Sequence, residues 1–105
     1  MIQISPEKLK NLIEETQSVK LIDVREQWEF DTCHIKGSRH IVMESIPEKL
    51  SGLDKGDTIV VICHHGMRSL QVAQYLEHEG FDTVMNLEGG IDAWAKKVDS
   101  HMTQY

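Results

Sequence analysis

The sequence predicts an α/β fold, with a central five-stranded, mainly parallel sheet and helices on both faces. Three observations predict it. Short apolar or β-branched runs alternate with helix-period segments along the whole chain, the pattern of parallel α/β folds. One run, Thr58-Ile59-Val60-Val61-Ile62, is β-branched almost throughout, as strands buried on both faces are. The length of 105 residues, 40% of them apolar, makes one domain that can bury a core without a staple.

Each element has its own signal. Ile2 to Ile4 reads as a short first strand. Ser5-Pro6-Glu7 opens a helix, with serine as the N-cap, proline at the first helical position and an early acid facing the dipole. Leu9, Leu12 and Ile13 give that helix its apolar face. Lys20 to Val24 reads as a buried strand. Arg25 to Phe30 reads as a short helical turn anchored by Trp28, with Arg25 and Glu29 spaced to pair on its surface. His40 to Met43 is a candidate strand and Ser45 to Leu50 a candidate short helix. After the β-branched strand, Arg68 to Glu79 reads as the clearest helix. Leu70, Ala73 and Leu76 are its buried stripe and Gly80 its stop. Thr83 to Leu87 is the last strand, and Gly89-Gly90 followed by Ile91 to Ala95 starts a final helix in which Trp94 is a core anchor. Residues 1–98 are expected to be the domain, and 99–105 a polar, frayed tail.

Composition excludes several functions. Eleven basic and 17 acidic side chains leave a net charge of −6, which repels phosphate backbones and argues against nucleic acid as a partner. No apolar run approaches the roughly 18 residues of a membrane span. Met1 to Ser5 lacks the basic start of a secretory signal, so the expected location is cytoplasmic. The two cysteines, Cys33 and Cys63, are then expected to be thiols.

The chemistry is concentrated after the fourth strand. In open parallel sheets, ligands bind beyond the carboxyl ends of the strands, and Cys63 sits at such an end. Gly66 lets the following loop curl, and the next helix points its free N–H groups at it, an anion site. Arg68 adds positive charge. Such surroundings favour the nucleophilic thiolate. His64 and His65 are placed to help dock an anion, and Met67 to contribute a backbone N–H and an apolar wall. Ser69 is read as a helix cap or a hydrogen-bond donor to sulfur, with the cap preferred. Cys33-His34 and Cys63-His64-His65 are too closely spaced for a structural zinc site, and no metal is expected.

The run Cys63-His64-His65-Gly66-Met67-Arg68-Ser69 resembles the active-site loop of single-domain rhodaneses, the thiosulfate sulfurtransferase family. Leu21 to Glu26, His34 to Ser38 and Leu87 to Trp94 resemble its other blocks, in family order. Lys36 and Val42 stand where the family usually has proline, and Cys33 where it often has glycine. The resemblance implies a rhodanese-like fold and sulfur relay. Cys63 would take a sulfane sulfur from thiosulfate or a persulfide donor. It would pass that sulfur to a thiol acceptor such as thioredoxin or glutathione, or to cyanide. Residues 64–69 would bind the substrate, with no cofactor and a monomer as the expected state. It also implies structural roles for Asp23, Arg25 and His34. Two alternatives stand beside it: a non-catalytic or persulfide-carrier docking module, and a cysteine phosphatase. The phosphatase spacing C-x₅-R does not fit Cys63, whose arginine comes after four residues. It does fit Cys33 to Arg39, where neither a strand before nor a helix after would build an anion site.

Overall fold

A computed structural model describes residues 1–16 and 18–105. Its elements are β1 (Ile2–Ile4), α1 (Pro6–Glu15), β2 (Lys20–Asp23), α2 (Gln27–Thr32), β3 (Arg39–His40), α3 (Ile46–Lys49), β4 (Thr58–Ile62), α4 (Met67–His78), β5 (Thr83–Leu87) and α5 (Gly90–Lys97). Two 3₁₀ turns, Met43–Ser45 and Leu50–Gly52, flank α3. The strands form one sheet in the order β1-β5-β4-β2-β3, parallel throughout.

Period-two alternation along β4 divides the core. Ile59, Val61 and Cys63 face one side, where Val72, Ala73 and Leu76 of α4 and Ile46 of α3 cover them. Val60 and Ile62 face the other side, against Leu9 of α1 and Ile91 and Trp94 of α5. A strand covered on both faces has no use for polar residues, and that is why its sequence reads as continuous apolar chain. The register pairs Asp23 with Ile62 and Val61 with Asn86. The strands β2, β4 and β5 therefore end at one edge of the sheet, and Arg25, Cys63 and Gly89 all follow from it.

The helix signals act as expected. The Ser5 hydroxyl accepts the Lys8 N–H at 3.2 Å, and Gly80 ends α4 with φ at +93°, a conformation glycine adopts without strain. The middle of the chain is more broken than its sequence implies. The strand expected over His40–Met43 is confined to Arg39–His40, and the helix expected over Ser45–Leu50 is a 3₁₀ turn, one α turn and a second 3₁₀ turn. The stripe of α4 is shifted too: Ser69, Val72, Ala73 and Leu76 are buried, while Leu70 is half-buried.

Two expectations about burial fail. Trp28 is not a core anchor and is 61% exposed, whereas Trp94 is buried. Adjacent helical residues point about 100° apart, so burying Glu29 turns Trp28 outward. Arg25 and Glu29 do not form a surface pair; both are buried and each has a different ionic partner. The tail does not fray. Asp99 N–H donates to Trp94 O at 3.0 Å, Met102 packs on the α1–α5 side of the core, and Tyr105 reaches the end of the sheet where Cys63 lies. Among the described residues no helix is long and apolar enough to cross a membrane.

Candidate active site

Cys63 leaves β4 and its side chain stays inside, 1% exposed. The chain then turns over Gly66, which holds φ at +100° and is the N-cap of α4. A side chain there would meet the strain of that conformation and the backbone of Leu87 and Gly89. The turn folds the Gly66 N–H back onto Cys63 Sγ at 3.1 Å. Met67, Arg68 and Ser69 follow in the first turn of α4, whose N–H groups have no carbonyl one turn earlier within the helix. The loop's carbonyls are drawn the other way. Cys63 O and His64 O accept the N–H groups of Ile91 and Asp92 at 2.9 and 3.0 Å. Gly90 makes this approach possible, because a Cβ there would collide with both carbonyl oxygens.

Ser69 is not the helix cap; Gly66 is. The Ser69 hydroxyl lies 3.3 Å from Cys63 Sγ and is also bonded to Asn86 Oδ1. It carries one proton, so its two partners alternate. With a neutral thiol, the S–H can donate to Ser69 and Ser69 to Asn86. With a negative sulfur, the hydroxyl turns to Sγ. Asn86 is held for this by Gln3 Oε1 and Gly66 O, which accept from its amide nitrogen at 2.9 and 3.1 Å.

Arg68 does not stand free as a positive charge. Its guanidinium grips Glu29 in a fork, Nη1 to Oε1 at 2.7 Å and Nη2 to Oε2 at 2.9 Å. Glu29 also accepts the Glu26 N–H at 2.9 Å and the Tyr105 hydroxyl at 3.0 Å. Behind it, the buried Arg25 is bound to Asp23 through Nε and Nη2 at 2.9 and 2.7 Å. Its remaining N–H groups donate to Cys33 O, Glu29 O and the Tyr105 oxygen at 2.6, 3.2 and 2.8 Å. The charges of Asp23, Arg25, Glu29 and Arg68 sum to zero. Attraction for an anion at Cys63 therefore rests on the N–H groups and the helix end.

These contacts shift several pKa values. The hydrogen bonds from Arg68 hold the Glu29 carboxyl at about 2, against the opposing push of burial. Glu29 in turn raises Arg68. Burial pushes the Tyr105 phenol up to about 12, which keeps it protonated. His64 is lowered by burial and then by the neighbouring His65. The sign for Glu29 is that of a depressed acid. Its contribution is present above the unfolded value near 4.3 and is lost as pH falls towards the folded value. A shift of this size corresponds to about 3 kcal/mol. Urea melts of wild type and Glu29→Gln, taken from pH 6 to pH 2, are expected to show a steep acid loss in the wild type and a flatter one in the variant. Parallel profiles would mean that Glu29 is not held by Arg68 in solution.

The predicted loop residues thus gather at one place but not in one role. Met67 points outward and is 69% exposed, so it does not wall the sulfur. His64 stacks on Tyr105 at 4.0 Å and tilts against His65 at the same distance. Cys33 is the C-cap of α2 and packs on the opposite face of the sheet from Cys63; both thiols are free. His34 Nδ1 bonds Phe30 O at 2.8 Å, a local turn contact. Three residues that shape the site, Glu29, Asn86 and Tyr105, are not among the site residues the sequence predicts. Asn86 had a signal, a lone amide inside an apolar strand. The sequence reading expected no metal, yet His64, His65 and Asp92 each bring one ligand atom within 4.8 Å of the others. At present the His64 ring stacks on Tyr105 and Asp92 Oδ2 accepts from Lys96.

Comparison with known proteins adds a family. The model of the rhodanese family, described as the rhodanese-like domain, matches residues 5–97. A Bacillus subtilis (strain 168) protein, YtwF, named as a candidate sulfurtransferase, is 48% identical over 92 residues, which cover 88% of each chain. The thiosulfate sulfurtransferase GlpE of Pseudomonas aeruginosa (strain PAO1) is 35% identical over 92 residues, 88% of this chain and 82% of that one. The crystal structure of a rhodanese-like domain protein from Staphylococcus aureus superposes with a TM-score of 0.84 at 35% identity, over 90% of this chain and 91% of the other.

Proposed function

Since the chain belongs to the rhodanese-like domain family, we propose that it is a sulfurtransferase that carries a sulfane sulfur on Cys63. The donor is thiosulfate or a persulfide, and the acceptor is a thiol, of which thioredoxin and glutathione are examples, or cyanide. The observation that carries this reading is the place of the thiol. Cys63 Sγ lies at the end of a central parallel strand, receives the Gly66 N–H at 3.1 Å, and sits where the first turn of α4 begins. The names of the relatives support sulfur transfer in general, and the donor and acceptor are those that the resemblance to the family implies.

The chemistry balances as two displacements at sulfur. The Cys63 thiolate attacks the outer sulfur of thiosulfate. A new S–S bond forms, the bond to the sulfonate breaks, and sulfite leaves with its electron pair. Cys63 then bears a persulfide anion. In the second step an acceptor thiolate attacks the outer sulfur and the Cys63 thiolate departs; cyanide in the same role leaves as thiocyanate. Both steps pass negative charge across sulfur without needing a proton. The N–H of Gly66, the first-turn N–H groups of Met67, Arg68 and Ser69 and the Ser69 hydroxyl are preorganised donors for that charge. His64, His65 and the Arg68 side chain border the approach. Because the sulfur is buried, those bordering groups must give way for a donor to enter.

The test is intact mass after incubation with thiosulfate, and in parallel with a low-molecular-weight persulfide. Gain of one sulfur atom, discharged by cyanide, is the expected result. A reduced, folded protein that gains nothing from either donor would overturn the reading.

A further inference from the structure

The segment after α5 lies across the candidate site, although the displacement steps at Cys63 do not call for it. Residues Thr103 to Tyr105 seat against His64 of the loop and Ile91, Asp92 and Ala95 of α5, leaving no room for a water molecule between them. Tyr105 makes four directed contacts there. Its ring stacks on His64 at 4.0 Å and 14°, and meets the edge of the exposed Trp28 at 5.5 Å and 72°. Its oxygen accepts from Arg25 Nη1 at 2.8 Å, and its hydroxyl donates to Glu29 Oε2 at 3.0 Å. Oε2 is also the atom that receives Arg68 Nη2.

We propose that Tyr105 is a positioning residue for sulfur transfer, holding Arg68 through Glu29 with its hydroxyl and His64 with its ring. Tyr105 touches neither the sulfur nor the entering donor. It acts on two groups that border the approach to Cys63, one from the loop and one from the first turn of α4. The proposal rests on the sulfurtransferase reading. Glu29 is caged by donors from Arg68, Glu26 and Tyr105. Without the phenol Oε2 is left to Arg68 alone while Oε1 keeps the Glu26 N–H, and the partly exposed Arg68 side chain gains freedom. The loss falls on donor entry past Arg68 and His64 and not on the sulfur, whose hydrogen bonds come from Gly66 and Ser69. An interaction used equally in the ground and transition states appears in KM and not in kcat.

The experiment compares wild type, Tyr105→Phe and Tyr105→Leu in thiosulfate–cyanide turnover, with thermal unfolding alongside. Removing one hydrogen bond to a charged group is expected to raise the thiosulfate KM about three- to tenfold in Tyr105→Phe. Its kcat should stay within about twofold. Tyr105→Leu, which also loses the ring, should show the larger rise. Unchanged KM in both variants would overturn the proposal. So would a fall in kcat that simply follows a lowered melting temperature, since that is the mark of a structural role. A second arm needs no activity. In a rapid pH jump read by phenolate absorbance, the difference between wild type and Tyr105→Phe should ionise near pH 12, as the docked phenol does. Ionisation near the ordinary value of about 10 would show the segment undocked and sink the proposal. If Tyr105 ionises near pH 12 but Cys63 takes sulfur from no donor, the sulfur-transfer reading fails. The positioning role then fails with it, and the docked segment stands.

Discussion

Cys63→Ser is expected to take up no sulfur and to lose turnover by about 1,000-fold or more, while keeping its fold. The substitution replaces a buried thiol with a slightly smaller hydroxyl. That hydroxyl can still accept the Gly66 N–H and share a hydrogen bond with Ser69, so no buried polar group is orphaned. What is lost is the nucleophile. A serine needs an adjacent base to become reactive, whereas a thiol supplies a useful anion on its own. The groups bonded to Cys63 Sγ are a backbone N–H and a hydroxyl, and neither accepts a proton from serine as a base would. Intact mass after exposure to thiosulfate, with cyanide turnover and thermal melts on both proteins, checks this. A variant that still gains a cyanide-labile sulfur would move the nucleophile elsewhere.

Arg25→Met is expected to be the most damaging single change outside the loop. Arg25 is fully buried and every arm of its guanidinium is engaged: Asp23 twice, two backbone carbonyls and the Tyr105 oxygen. Truncating it leaves the Asp23 carboxylate in the interior without a counterion, and breaking a buried pair from one side typically costs about 3–5 kcal/mol. In a domain this size the melting temperature should fall by about 15 °C or more. The double variant Asp23→Leu/Arg25→Met removes both charges and should recover part of that loss. A fall of only a few degrees in the single variant would mean that Asp23 reaches water. Because Arg25 also holds Tyr105, the variant should release the last residues of the chain together with the pair.

The fold was legible where one physical signal acts alone. The span Thr58–Ile62 needed only its continuous apolar character, and α1 announced itself through Ser5, Pro6 and its apolar stripe. Reading failed where a residue's place is set by a distant charge. Glu29 looks like a surface acid of a short helix, and nothing within four residues says that Arg68, 39 positions later, draws it inside. Trp28 was misplaced by the same cause, since the burial of its neighbour decides its own exposure. The loop from Cys63 to Ser69 was found because its signals are local: a strand end, a glycine and a helix start. Even so, the partner that occupies Arg68 comes from α2, which the loop's own sequence does not describe. Tyr105 carried no local signal, because its partners lie 41 to 80 residues back.

The two bonds from Ile91 and Asp92 to the carbonyls of Cys63 and His64 fasten the sulfur-bearing loop to the start of α5. The loop cannot draw away without leaving those two first-turn N–H groups, which have no acceptor inside the helix, unpaired. Those two amides are therefore gauges of the buried thiol. Their exchange with deuterated solvent counts the openings through which a donor can enter, without any probe attached to sulfur. Gly90 sets how closely the fastening closes. The rate at which the chamber breathes is thus written in a helix that contributes no side chain to the hydrogen bonds at the sulfur.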